Sequence, residues 1–120
     1  MILVDASIWI DHFRRGSDRL SALLEGGEVL GHPFVIGELA CGSLRRRREI
    51  ISLLEALPQA VSADHDEVVR FVEARQLMGR GLGYVDVHLL ASAMLHGALI
   101  WTADKRLLEQ AKRLHIAARL

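Results

Sequence analysis

The sequence has a single cysteine, Cys41, among its 120 residues. One cysteine excludes an intramolecular disulfide framework and favours a reducing compartment. A chain of this length removes roughly 65% of its unfolded surface from water, so it needs neither a disulfide nor a structural metal to hold it folded. We therefore predict a single domain over residues 1–120.

Long apolar runs are absent as well. The longest stretch without Asp, Glu, Lys or Arg covers the 17 residues from Val87 to Ala103 and contains Gly97, where a helix would end. This stretch is too short to span a bilayer comfortably. Asp5 interrupts the apolar start of the chain after four residues, which leaves no secretory signal. We expect a cytoplasmic protein with no membrane partner.

The chain also lacks net charge, because fifteen Lys and Arg residues balance fifteen Asp and Glu residues. Such a protein does not coat nucleic acid by bulk electrostatics, so a polyanionic substrate would need a local cluster of cations or a metal ion. Two groups could bind the phosphates of such a substrate: Arg45, Arg46, Arg47 and Arg48, and the pair Lys105 and Arg106. The arginine run could equally be a solvated helix surface or face an acidic partner protein.

Two short apolar runs are typical of central strands in a parallel sheet: ILV at residues 2–4 and ALIW at residues 98–101. Weaker strands fit residues 28–31, 60–61 and 115–118. Helices are predicted over 7–14, 17–25, 33–41, 45–57, from a cap at Ser62 or Asp64 to about 77, 87–96 and 105–113. This alternation predicts an α/β fold, a three-layer α/β/α sandwich around a mainly parallel sheet of four to five strands.

Four acidic residues stand where such a fold could collect them. Asp5 directly follows the first strand and Asp104 follows the other central strand, so both are expected at the carboxyl edge of the sheet. Glu38 lies in the helical segment PFVIGELACG, and Asp86 opens the helix VHLLASAM. Taken singly, each aspartate could be a helix cap and the glutamate could be solvated.

Carboxylates that converge on one crevice repel one another unless a cation compensates them. Oxygen ligands without a Cys or His cluster select a hard ion, Mg²⁺ or Mn²⁺. Hydrolysis of a phosphodiester bond assisted by such an ion is the chemistry that these residues favour.

The surroundings of the acids resemble a known family. MILVDASIWIDHF, VIGELACG, GYVDVHLLASAMLHGA and LIWTADKRL are similar to the successive motifs of PIN-domain ribonucleases, and the opening and length most resemble the VapC toxins of type II toxin–antitoxin modules. The resemblance spans essentially the whole chain. It implies a PIN-like fold and a Mg²⁺- or Mn²⁺-dependent endoribonuclease that cuts tRNA or ribosomal RNA in single-stranded loops.

The resemblance also implies roles and partners. Asp5, Glu38, Asp86 and Asp104 would be the catalytic, metal-binding acids, and the hydroxyls of Ser7 and Thr102 would support them. A homodimer and inhibition by a cognate VapB-type antitoxin belong to the same picture. Two other interpretations stay open: a PIN-type nuclease of RNA processing or DNA repair, and a catalytically silent partner in a promoter-binding complex.

Two further features favour structural roles. His88 and His96 lie eight residues apart, and none of the six histidines has a recognised metal-ligand spacing, so we expect them to be packed or on the polar surface. Trp9 could stack on an RNA base. Its apolar neighbours in SIWI favour a place in the core or in a dimer contact.

Overall fold

The computed structural model describes residues 1–120. Its centre is a parallel sheet of three strands, β1 (Ile2–Val4), β2 (Val29–Leu30) and β3 (Leu99–Trp101), in the order β2-β1-β3. The two runs predicted as central strands therefore lie side by side. The prediction of an α/β fold around a parallel sheet is confirmed.

The predicted number of strands, four to five, is wrong. Two isolated parallel bridges, Gly31 with Gln59 and Ile100 with Ala117, lie at the edges of the three-stranded sheet. Each edge segment makes only two backbone hydrogen bonds to the sheet, of 2.8 Å at Gly31 and of 2.8 and 2.9 Å at Ile100. The segments predicted as extra strands are therefore present at the edges but pair too briefly to form strands.

Seven helices connect and cover the strands. They are α1 (Ala6–Arg15), α2 (Asp18–Glu25), α3 (Pro33–Ala40), α4 (Arg47–Ala56), α5 (His65–Ala74), α6 (Tyr84–His96) and α7 (Lys105–Arg113). All seven were predicted, but three boundaries differ by two or more residues. Helix α4 starts at Arg47 because Arg46 adopts a left-handed conformation with φ 54°. Helix α5 ends sooner than predicted, and α6 begins three residues earlier than predicted.

Helix α6 is the most deeply buried helix, since every residue from Val87 to Ala93 is buried. It contacts both β3 and α5, which explains why the longest uncharged stretch of the sequence lies here. Gly97 ends the helix in a left-handed conformation with φ 72°. None of the helices has the length and apolar character required to cross a membrane.

The sheet topology fixes the position of the candidate site. β1 and β3 are adjacent and parallel, so their carboxyl ends share one edge. The backbone N–H of Asp5 donates to the carbonyl of Trp101 at 3.0 Å, which extends the pairing one residue past β1. The chain enters α1 just after β1. It enters α7 after the three residues that follow β3.

Candidate active site

Asp5 is the most firmly held of the four acids. It is 8% exposed and caps α1, and its Oδ1 accepts a hydrogen bond of 2.8 Å from the N–H of Ala6. Its Oδ2 accepts two more, from Ser7 Oγ at 2.9 Å and from Thr102 Oγ1 at 2.7 Å. Three donors thus fix the orientation of the carboxylate.

The two hydroxyls that contact Asp5 join the ends of β1 and β3. Ser7 Oγ also accepts from the N–H of Ala103 at 3.1 Å, and the buried Thr102 accepts from the N–H of Asp104 at 3.0 Å. Each hydroxyl therefore donates to Asp5 and accepts from the loop that leads into α7. The network makes the position of Asp104 depend on that of Asp5.

Asp104 and Asp86 both belong to helix starts. Asp104 caps α7, its Oδ1 accepting from the N–H of Leu107 at 2.9 Å. Asp86 lies in the first turn of α6, and its Oδ2 accepts from the N–H of Gly83 at 2.8 Å. In each case only one carboxylate oxygen is used, so the other has no protein donor. Helix capping therefore occurs here and still leaves an oxygen available to a ligand.

Glu38 comes from the middle of α3, where its side chain is exposed and makes no hydrogen bond to the protein. Helix α3 begins at Pro33 after a cap by His32 and packs against α1, the helix that Asp5 caps. The glutamate is thus brought towards the sheet edge by the packing of α3 and is held there by no partner of its own.

The electrostatics show that the four acids share one region. Partial burial raises the pKa of Glu38, and the negative charges of Asp5 and Asp86 raise it further. Burial also raises the pKa of Asp86; the N–H of Gly83 opposes this shift, while the charges of Asp104 and Asp5 add to it. The predicted crowding of like charges is therefore a property of this sheet edge.

The donor set fits a hard divalent cation, because every candidate ligand is a carboxylate oxygen and several of these oxygens have no protein donor. No three side chains from Asp, Glu, His and Cys lie close enough together to ligate one ion directly. Such an arrangement suits an ion that keeps part of its hydration shell, as Mg²⁺ does.

The arginine run does not act as a unit. Arg45 and Arg46 precede α4, whereas Arg47 lies in its first turn and donates to the carbonyl of Ala40 at the end of α3. All four arginines, Arg45, Arg46, Arg47 and Arg48, are exposed. At least one of them therefore has a structural hydrogen bond, which the sequence does not reveal.

Arg45 is the member of the run that shares a cavity with one of the acids. It lines a cavity of about 620 Å³ together with Glu38. Arg14, from the last turn of α1, lines the same cavity. Sequence reasoning missed Arg14, since one arginine in an amphipathic helix gives no signal of its own. On the other flank, Lys105 and Arg106 follow Asp104 directly, and both are exposed.

The histidines and Trp9 take structural positions. His32 is 1% exposed, accepts from the N–H of Phe34 at 3.0 Å and contacts Ser92 Oγ at 2.9 Å. Burial, with a smaller effect of His88, lowers the pKa of His32 to about 4. Trp9 is 4% exposed, so its predicted place in the core is confirmed.

A comparison with protein families gives a match to the PIN domain over residues 2–113. The chain belongs to the PIN-domain family. Two relatives, both called Ribonuclease VapC32, come from Mycobacterium tuberculosis strains CDC 1551 / Oshkosh and ATCC 25618 / H37Rv. Each is 52% identical to this chain over 108 residues, which cover 89% of this chain and 87% of the relative. The predicted resemblance to VapC-type PIN ribonucleases is confirmed.

Proposed function

We propose that this protein is the ribonuclease toxin of a VapBC-type toxin–antitoxin module. The observation that carries the proposal is the convergence of four carboxylates at the edge formed by β1 and β3, in a chain 52% identical to ribonucleases of the VapC type. The substrate class is RNA, and tRNA or ribosomal RNA loops are the proposed targets. The whole of residues 1–120 acts as one PIN domain.

Asp5, Glu38, Asp86 and Asp104 are proposed to hold Mg²⁺, with Mn²⁺ as the alternative. When bound, the ion supplies Lewis-acid activation of water and neutralises charge that develops on the phosphate. Ser7 and Thr102 keep Asp5 in one orientation, so this acid is already placed before RNA binds. A bound cation would offset the repulsion that raises the pKa values of Glu38 and Asp86.

The partners of the proposed toxin are a VapB-type antitoxin and a second copy of the chain. A groove of about 310 Å³ between α1, α2 and α4 supports a protein partner, because seven of its eight lining residues are hydrophobic. Three of these residues, Ile50, Leu53 and Leu54, come from α4, and Leu57 follows it directly. The proposed site of action is the cytoplasm, where the RNA substrate and the antitoxin are made.

The test is cleavage of labelled bacterial tRNA and ribosomal RNA by the purified chain with Mg²⁺, with Mn²⁺ or with EDTA. Asp104→Asn is the most informative variant, because an asparagine oxygen can still accept from Leu107 and cap α7 while the charge is lost. We expect cleavage to fall at least about 100-fold in this variant. Asp5→Asn is less clean, since its amide would face the donors Ser7 and Thr102.

Asp18→Asn in the first turn of α2 is the matched control, because it removes one exposed acid that follows the end of α1 opposite to the end that Asp5 caps. It should cleave like the wild-type chain. Cleavage by Asp104→Asn at the wild-type rate would refute the site, and a wild-type chain that cuts no RNA with either ion would favour a catalytically silent partner in a promoter-binding complex.

A further inference from the structure

A polar cleft of about 430 Å³ lies between the loop that joins α5 to α6 and the first turns of α7. No hydrophobic side chain lines it; its residues are Gly79, Arg80, Gly81, Arg106, Glu109 and Gln110. We propose that this cleft binds a backbone phosphate of the RNA strand through Arg80 and Arg106. The inference rests on the proposed function, because that function makes RNA the ligand.

The side chain of Arg106 lies close against the loop at Gly81, where only glycine leaves room for it. A Cβ atom at Gly81 would lie 2.8 Å from Arg106 Cδ and 3.0 Å from its Nε, closer than side chains pack. Gly81 also has a φ of 76°, which other residues rarely adopt. The missing Cβ therefore leaves room for the arginine to lie along the loop.

Arg80 is anchored in a different way. Its Nε donates to the carbonyl of Gln76 at 2.9 Å, within a loop that Leu77, 2% exposed, fixes to the core. The terminal nitrogens of its guanidinium have no protein partner. The cleft thus contains two guanidinium groups, one from the loop and one from α7.

Neither arginine is neutralised by the protein. The only salt bridge in the chain joins Arg15 to Asp11, so Glu109 does not pair with Arg106 although both line the cleft. By contrast, Arg113 on the same helix donates to Gln110 and to a backbone carbonyl. Two unpaired guanidinium groups at one cleft repel each other, and a phosphate with two free oxygens relieves that repulsion through forked hydrogen bonds.

The cleft lies beside the elements that carry two of the four acids. Arg106 lies two residues after Asp104, and the loop that carries Arg80 leads into the helix that carries Asp86. A phosphate held here would therefore lie on the side of the acids where α6 and α7 begin. The RNA backbone would run from the sheet edge across the start of α7.

The experiment measures binding of a fluorescein-labelled, mixed-sequence single-stranded RNA to the full chain over a salt series, with Ca²⁺ present to prevent turnover. A phosphate contact is independent of base sequence, so the natural target is not needed. Arg80→Gln and Arg106→Gln should each weaken binding about tenfold at low salt. Each should also lower the slope of log K against log[salt] by about 0.7.

Arg19→Gln is the matched control, since it removes one exposed, unpaired arginine from α2. It should leave both affinity and slope near the wild-type values, and all variants should melt at the wild-type temperature. Wild-type affinity and slope in Arg80→Gln and Arg106→Gln would overturn the proposal, as would variants that bind RNA normally but lose the antitoxin. If the wild-type chain binds RNA in this way but cuts none, the proposed nuclease fails while the phosphate site stands.

Discussion

At the scale of single residues, Asp5 shows that capping a helix and serving a reactive site are compatible. Its Oδ1 caps α1 while its Oδ2 collects the hydroxyls of Ser7 and Thr102. The sequence predicts which acids stand at strand ends, because an acid after a buried apolar run is visible in the order of residues. It does not predict that Thr102 bridges Asp5 to Asp104, since that bridge depends on the spatial adjacency of β1 and β3.

Removing the hydroxyl of Thr102 tests this bridge. Thr102→Val keeps the shape of the side chain but leaves Asp5 short of a donor and the N–H of Asp104 without an acceptor. We expect a loss of about 1–3 kcal/mol in the free energy of unfolding and a fall of about 10- to 100-fold in kcat. Thr102→Ser should restore most of both. Urea denaturation and RNA cleavage assays measure the two effects, and a valine variant with wild-type kcat would show that the hydroxyl does not position the acids.

At the scale of helices and strands, elements with a strong local sequence pattern were predicted correctly. Features that depend on contacts between distant residues were not. β1 and β3 are predicted by their apolar runs, and α5 by a cap at Ser62 or Asp64, which the structure places at Asp64. The start of α4 is not, because the left-handed conformation of Arg46 has no signature in a run of arginines. The edge segments near Gln59 and at Ala117 were predicted as strands, but each forms a single bridge, since the extent of pairing depends on a distant strand and not on the local pattern.

His32 links α3 to α6, and its titration makes the free energy of unfolding depend on pH. His32 accepts from the N–H of Phe34 at the start of α3 and contacts Ser92 of α6, and it stays neutral because burial lowers its pKa from 6.5 to about 4. The unfolded chain takes up this proton near pH 6.5, so the stability from His32 is complete above that pH and is lost as pH falls towards 4. We expect a loss of about 2 kcal/mol between pH 7 and pH 5 from this group.

The raised pKa values of Glu38 and Asp86 act in the opposite direction, because protonation of these acids at low pH relieves their repulsion. The comparison must therefore be made between variants. His32→Asn keeps an oxygen that can cap α3 but does not titrate, so its unfolding free energy should fall less than that of the wild type between pH 7 and pH 5. Urea denaturation at both pH values measures the difference, with the exposed His115→Asn as control; equal losses in wild type and His32→Asn would contradict the assignment.

At the scale of the whole molecule, the chain has no net charge, but its acidic and basic residues lie in different regions of the surface. The acids collect at the sheet edge, Arg80 and Arg106 lie on the α7 flank, and Arg14 and Arg45 lie on the α4 flank. Composition alone predicts that a polyanion would need such local placement. Which cations flank the acids could not be predicted, because Arg14 and Arg80 are single arginines whose surroundings in sequence give no signal of a phosphate contact.

Expression in a bacterial host decides whether this arrangement acts as a toxin. The wild-type chain should arrest growth when it is induced alone, because cleavage of tRNA or ribosomal RNA stops translation. Asp104→Asn should accumulate to the same level without arrest, and Asp18→Asn should arrest growth like the wild type, which separates the chemistry from the burden of expression. Supplying the antitoxin gene from the same locus should restore growth. Growth at the normal rate with active ribonuclease in the cell extract would instead favour a nuclease of RNA processing or DNA repair, since such an enzyme cuts RNA without needing an inhibitor.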